Sequence, residues 1–169
     1  MNKTALQNLT YGMYIISSKD GERFVGCTIN TAMQVSSEPV IVSVCVNRSN
    51  YTNDCIKKTG AFALSILSEE ATAKNIGTFG FQSSRTVDKF ATVDYQLTAD
   101  GLPVLNAGTC AYLSFRVVNS IEIESHTVFF GELTDAEKFE TAAPPMTYSY
   151  YHRVIKGKAP AAAPTFGVN

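Results

Sequence analysis

The chain has 169 residues, with 14 Lys and Arg against 15 Asp and Glu, a formal net charge of −1, 45% hydrophobic residues and 17% charged residues. That length supports one domain with its own core, and the composition excludes a disordered chain. The near-neutral charge offers no basic field for a nucleic-acid backbone, no apolar run reaches the ~18 residues of a membrane span, and MNKTALQNLTYGMYIISS lacks the apolar centre of a secretory signal, so a cytoplasmic protein is expected.

In chain order, Tyr14, Ile15 and Ile16 lead to a turn at Lys19–Asp20–Gly21, and Phe24–Val25 resume the apolar run, a hairpin signal. Residues 26–39 read as a polar loop running into Pro39. Val40 to Val46 alternate cleanly, with Val40, Val42, Val44 and Val46 on one face and Ile41, Ser43 and Cys45 on the other. Both faces are nearly apolar, so a central strand is expected. A short helix should follow, capped by Ser49 or Asn50, with Cys55 and Ile56 inward and Gly60 as its stop. Phe62, Leu64 and Ile66 mark another strand. Ser68–Glu69–Glu70 reads as the start of a second helix ending near Phe79, with acids at its positive end.

Residues 80–95 read as a loop with a short amphipathic turn. Val104–Leu105 is a short strand, Ala111 to Ile123 a long alternating one, and Thr127 to Leu133 a short aromatic one after a turn at Ser125–His126. Strands outnumber helices and do not alternate with them regularly. The fold class is therefore mainly β, an antiparallel barrel with added helices. The Ala- and Pro-rich end, KGKAPAAAPTFGVN, differs in composition, so a domain over 1–155 and an arm or linker over 156–169 are expected.

Several chemistries lack their sequence signature. Cys27, Cys45, Cys55 and Cys110 form no CxxC pair and only two His are present, so buried thiols are expected and a metal centre is not. GxGxxG after a strand, GxxxxGK[ST] and GxSxG are all absent, and Gly77 and Gly80 read as loop punctuation.

The segment GCTINTAMQVSSEPVIVSVCVNRSNYT, residues 26–52, holds two polar clusters flanking the Val40 strand. Thr28, Asn30, Thr31 and Gln34 carry no charge and suit a neutral polar ligand edge. Asn47, Arg48, Ser49, Asn50 and Thr52 stand where a strand gives way to a helix, and a helix start with an Arg beside it suits an anion. A ligand with a polar ring at one end and a phosphate at the other would use both clusters, as FMN would. Ordinary turn and capping chemistry also draws on these residue types.

The same segment resembles the flavin-reductase-like family of FMN-binding split barrels, whose pattern is roughly G-x-T-x-N-(small)-x-x-x-V-S-x-x-P, a hydrophobic strand and a polar turn. FGFQSSRTVDKF is similar to the family's loop ending in a Lys-Phe pair, here Lys89–Phe90. ESHTVFFGEL is similar to its Gly-Asp-His segment with a following strand, and MTYSYYHRVIKGKAP to the end of the NADH:rubredoxin oxidoreductase and high-molecular-weight rubredoxin subgroup, in which a rubredoxin domain follows. The likeness covers about residues 5–160. It implies a six-stranded antiparallel split barrel, a homodimer, bound FMN near the subunit interface, and NADH or NADPH as electron donor. Thr28, Ile29, Asn30 and Thr31 would lie along the ring and ribityl chain, with Gln34 near them. Asn47, Arg48, Ser49, Tyr51 and Thr52 would hold or flank the phosphate, with Lys89 reaching the same site. His126 would lie near the nicotinamide as the catalytic residue. Implied acceptors are rubredoxin or another electron-transfer protein, free flavin, or ferric iron. The chain departs from the pattern at Glu124–Ser125, which replace Gly-Asp. That leaves open a flavin carrier not reduced directly by nicotinamide, or a non-enzymatic flavin-binding protein.

Overall fold

The computed structural model describes residues 1–140 and 143–158. The expected hairpin is present: β1 (Tyr14–Asp20) pairs antiparallel with β2 (Arg23–Ile29), and Gly21 takes the left-handed φ of +58° that the tight turn needs. Two residues later β3 (Ala32–Ser37) begins, and Glu38–Pro39 turn it back into β4 (Val40–Asn47). After α1 (Tyr51–Thr59) come β5 (Ala61–Leu67), α2 (Ala73–Phe81), the short ribbon of β6 (Tyr95–Leu97) with β7 (Pro103–Leu105), the long hairpin of β8 (Thr109–Ile123) with β9 (His126–Lys138), and α3 (Tyr148–Arg153).

Seven strands form one antiparallel sheet in the order β2-β1-β5-β8-β9-β4-β3. Ile16, Cys27 and Ile29 from one end of that sheet share a core with Val42, Val44 and Val46 from the other, together with Phe62, Leu64, Phe115 and Phe129 between them. The sheet therefore curls until its two ends face one another without pairing. This is a split barrel, in the fold class the resemblance implied. α1 lies against the opening and packs on β1 and β2. Inside it Asn53 Nδ2 donates to the carbonyl of Val46 at 3.0 Å. A second cluster, built from Ile15, Leu67, Ile76, Phe79, Phe90 and Tyr151, seats α2 and α3 on the outside of the barrel.

Four expectations change. The sheet has seven strands rather than six, because residues 32–37, read as loop, are β3; its polar side chains suit a strand that lies at the sheet edge with both Met33 and Gln34 exposed. The second helix starts at Ala73 with Thr72 as its cap, since the backbone donors of Ser68 and Glu69 are already taken by the carbonyls of Gly108 and Pro144. β9 extends to Lys138 because it must partner β8 as far as Ala111, although TDAEK carries no apolar alternation. β4 is one strand from the edge, and its Ile41–Ser43–Cys45 face is only half-buried. Of the expected arm, Lys156 to Lys158 fold back on α3, where Tyr151 Oη donates to the Lys158 carbonyl at 3.3 Å; residues 159–169 lie outside the described residues.

Gly131 on β9 leaves no room for a side chain inside the barrel. A Cβ there would stand 2.7 Å from both Phe62 Cζ and Phe115 Cβ, whose rings stack with centroids 4.9 Å apart. Gly131→Ala is therefore expected to lower stability by about 1–3 kcal/mol in urea unfolding, through overpacking and without change in the m-value.

Candidate functional site

α1 begins as the sequence predicted. Asn50 is its cap, its Oδ1 accepting from the Thr52 backbone N–H at 3.1 Å, and Gly60 ends it at φ +68°. The turn between β4 and α1 meets the turn between β8 and β9: the backbone N–H of Arg48 donates to the Ser125 carbonyl at 2.9 Å, and Arg48 Nη1 donates to the Glu124 carbonyl at 3.1 Å. Glu124 holds φ +44°, a left-handed position where the family pattern has Gly. Between the two turns opens a cleft of about 470 Å³ lined by Asn47, Arg48, Ser49, Asp54, Lys57, Glu124 and Ser125.

Each cation at this cleft has a carboxylate partner. Glu122 accepts from Arg48 at 3.0 Å and from Lys57, and these cations hold its carboxyl below the usual range, the Lys57 hydrogen bond contributing most. Arg85 reaches Asp54 at 2.6 Å with its guanidinium 4.5 Å over the Tyr51 ring. These side chains are largely exposed, and exposed pairs are worth about 0–1 kcal/mol, so an entering phosphate dianion can compete for the same cations. The donor set of guanidinium, ammonium, amide and hydroxyl groups at a helix start fits a phosphate.

The structure brings together Asn47, Arg48, Ser49 and His126. Asn47 Oδ1 accepts from the Ser49 backbone at 2.9 Å and its hydroxyl at 2.7 Å. His126 stands directly across from Asn47 in the β4–β9 ladder, half-buried, with Nδ1 2.8 Å from Ser125 Oγ. Thr31 is near, because its carbonyl accepts the Cys45 N–H at 3.3 Å two residues before Asn47.

The other expected residues point elsewhere. The Thr28 hydroxyl donates to the Ile76 carbonyl of α2 at 3.0 Å. Ile29 and Asn30 are buried, the latter accepting from the Thr31 hydroxyl at 3.0 Å. Gln34 is exposed and donates to the Ser36 carbonyl at 3.1 Å. Tyr51 Oη donates to Asp20 at 2.6 Å, which pushes the phenol up to about 12. Thr52 is fully buried, its hydroxyl beside the Cys27 thiol.

Lys89 is 1% exposed; its Nζ donates to the carbonyls of Gly26 at 2.8 Å and Phe79 at 3.2 Å, so it does not reach the cleft. The basic side chain from that loop that does approach the cleft is Arg85. The segment FGFQSSRTVDKF contains it, and its signal is an Arg in a polar loop, the side chain best suited to a bidentate phosphate contact.

Residues 6–157 match the flavin reductase like domain. The chain is 42% identical over 168 residues to the high molecular weight rubredoxin of Moorella thermoacetica, covering 99% of this chain and 73% of that one. It is 36% identical over 166 residues to a ferric-chelate reductase (NAD(P)H) of Archaeoglobus fulgidus, covering 98% of each. Among solved structures, the NADH:FAD oxidoreductase of Streptomyces globisporus superposes with a TM-score of 0.77 at 26% identity, covering 86% of this chain and 85% of that one. With a match across nearly its whole length, a relative above 40% identity and the same split barrel, the chain belongs to the flavin reductase-like domain family.

Proposed function

We propose that the protein is an FMN-dependent NAD(P)H oxidoreductase whose flavin phosphate lies in the cleft between the β4–α1 turn and the β8–β9 turn. The observation that carries this reading is the meeting of Arg48, Asn47 and Ser49 with His126 across one pair of strands. Arg48, Lys57 and the Ser49 hydroxyl would hold the phosphate, with Arg85 at the rim. Thr31 and the neighbouring backbone of β3 would border the ring. Bound FMN supplies a two-electron centre that can pass electrons on singly or in pairs. The chain contributes orientation, and His126 offers a polar contact for a nicotinamide beside Asn47. The names borne by the relatives point to an electron-transfer protein such as rubredoxin, free flavin or a ferric chelate as acceptor.

A second reading, a flavin carrier not reduced by nicotinamide, draws on Glu124–Ser125 in place of Gly-Asp ahead of His126. Anaerobic mixing of FMN-loaded protein with NADH and with NADPH separates the two. Bleaching of the flavin absorbance supports the oxidoreductase; flavin that stays yellow with both donors supports the carrier.

The outer face of the sheet bears on assembly. Cross-strand neighbours share a face, so Met33, Ser43, Cys45, Val128, Phe130, Ile121 and Ile123 stand together outside the barrel, next to His126 and Asn47. Met33 is 64% exposed and Ile123 55%. Such an apolar face asks for a cover, and in our reading a second copy of the chain supplies it, with the flavin at its margin. Sedimentation should give a dimer at micromolar concentration, with Ile123→Glu shifting it toward monomer; a wild-type monomer refutes this assembly.

Two substitutions test the phosphate site by FMN titration. Arg48→Ala should weaken binding by about 1–3 kcal/mol, the scale of a lost charge-assisted bond. Glu122→Gln should tighten it by roughly 2- to 5-fold, because Arg48 and Lys57 no longer share themselves with a carboxylate.

A further inference from the structure

We propose that Lys89 is a positioning residue of the flavin site: it fastens the neck of the 82–88 loop to β2 and so sets Arg85 at the start of α1. The inference rests on the flavin reading above and deepens it.

Residues 82–88 leave the end of α2 and return at Lys89. The Lys89 ammonium closes that neck by donating to the Phe79 carbonyl at 3.2 Å, and it ties the neck to the barrel by donating to the Gly26 carbonyl at 2.8 Å. Ser84 adds two bonds to the same residue, its Oγ donating to the Gly26 carbonyl at 3.1 Å and accepting from the Gly26 N–H at 3.3 Å. Gly26 admits this close approach because it has no side chain; a Cβ there would lie 3.2 Å from the Phe79 ring and 3.0 Å from the Ile16 carbonyl. One residue beyond Ser84, Arg85 reaches from the loop to Tyr51 and Asp54 in the first turn of α1.

A buried ammonium is expensive, and an apolar chain of similar length would fill the space at lower cost. What the ammonium adds is two charge-assisted bonds to carbonyls on separate elements, and hence a fixed loop. Burial lowers its pKa from the ordinary lysine value to about 8. The titratable group facing it is the Cys27 thiol of β2, pushed up to about 11 by burial and so neutral over this range; α2 presents the Phe79 ring and carbonyl. Loss of the proton weakens the neck. The linked effect on folding runs the other way: the unfolded chain keeps its lysine proton to higher pH, so between the two pKa values this group makes global stability rise with pH. Flavin affinity should fall over a range where rising pH relieves the cost of burying Lys89 and so raises stability, which a purely structural role does not produce.

The test is FMN binding by flavin fluorescence between about pH 6.5 and pH 9.5, on wild type, Lys89→Met, Arg85→Ala and the double variant, with stability measured alongside. Expected are an alkaline loss of affinity in wild type that is absent in Lys89→Met, a roughly tenfold weaker binding at neutral pH in each single variant, and little further loss in the double. Ser84→Ala, which loosens the same neck without touching a buried charge, should weaken binding in the same sense and also add little to Arg85→Ala; it keeps the test intact should Lys89→Met not fold. Additive losses, or an alkaline limb that persists in Lys89→Met, overturn the proposal. If wild type binds FMN and Arg85→Ala binds it equally well, only the role of Lys89 falls. If wild type takes up no FMN, the flavin reading falls and this proposal with it.

Discussion

The two ends of a seven-stranded sheet must meet over one apolar core, and the rest of the molecule follows from that closure. β2 and β4 contribute Cys27, Ile29, Val42, Val44 and Val46 to a single cluster, yet no ladder joins them among the described residues. The hydrophobic contact between the ends must therefore be steadied by something other than backbone pairing. α1 does this, with Cys55 and Ile56 turned inward and Asn53 tied to Val46. The helix that stabilises the closure also borders the phosphate-binding candidates, with Arg48 and Ser49 in the turn that leads into it and Lys57 in its last turn. Fold and site share one element.

The electrostatics of the cleft have a consistent pattern. Opposite charges meet from the β4–α1 turn, α1, β8 and the 82–88 loop: Arg48 and Lys57 on Glu122, and Arg85 on Asp54. None is deeply buried, so none commits much energy to its partner. A site of this kind is solvated and internally neutral when free, and its cations can change partners at low cost. The deeply placed cation, Lys89, works differently. It is fixed on backbone carbonyls, and its role concerns the shape of a neighbouring loop.

Much of this was legible in the sequence where local physics decides. Asn50 and Gly60 bracket α1 because capping and left-handed geometry are properties of those residues. The Asp20–Gly21 turn and the alternation of Val40 to Val46 likewise needed no tertiary information. The failures lie where partners decide. AMQVSS is a strand only because β4 lies alongside it, and TDAEK only because β8 needs a neighbour. Thr28, Thr52 and Lys89 have the chemistry of ligand contacts, but the fold turns them toward α2, Cys27 and Gly26. A side chain's direction is set by register and packing, which a motif does not encode. Arg85 is hard to read for the complementary reason: it sits in a loop, and what it approaches is distant in the chain.

The link from Ile29 to Ala32 has a dynamic corollary. Two residues carry the chain from one margin of the sheet to the other, so the seam of the barrel lies beside Asn30 and Thr31. Prising the barrel apart anywhere else would rupture rows of paired amides and carbonyls, whereas widening this seam forfeits side-chain packing and the few side-chain bonds by which α1 spans it. Native breathing is thus channelled to one line on the molecule, and that line runs past the short link between β2 and β3.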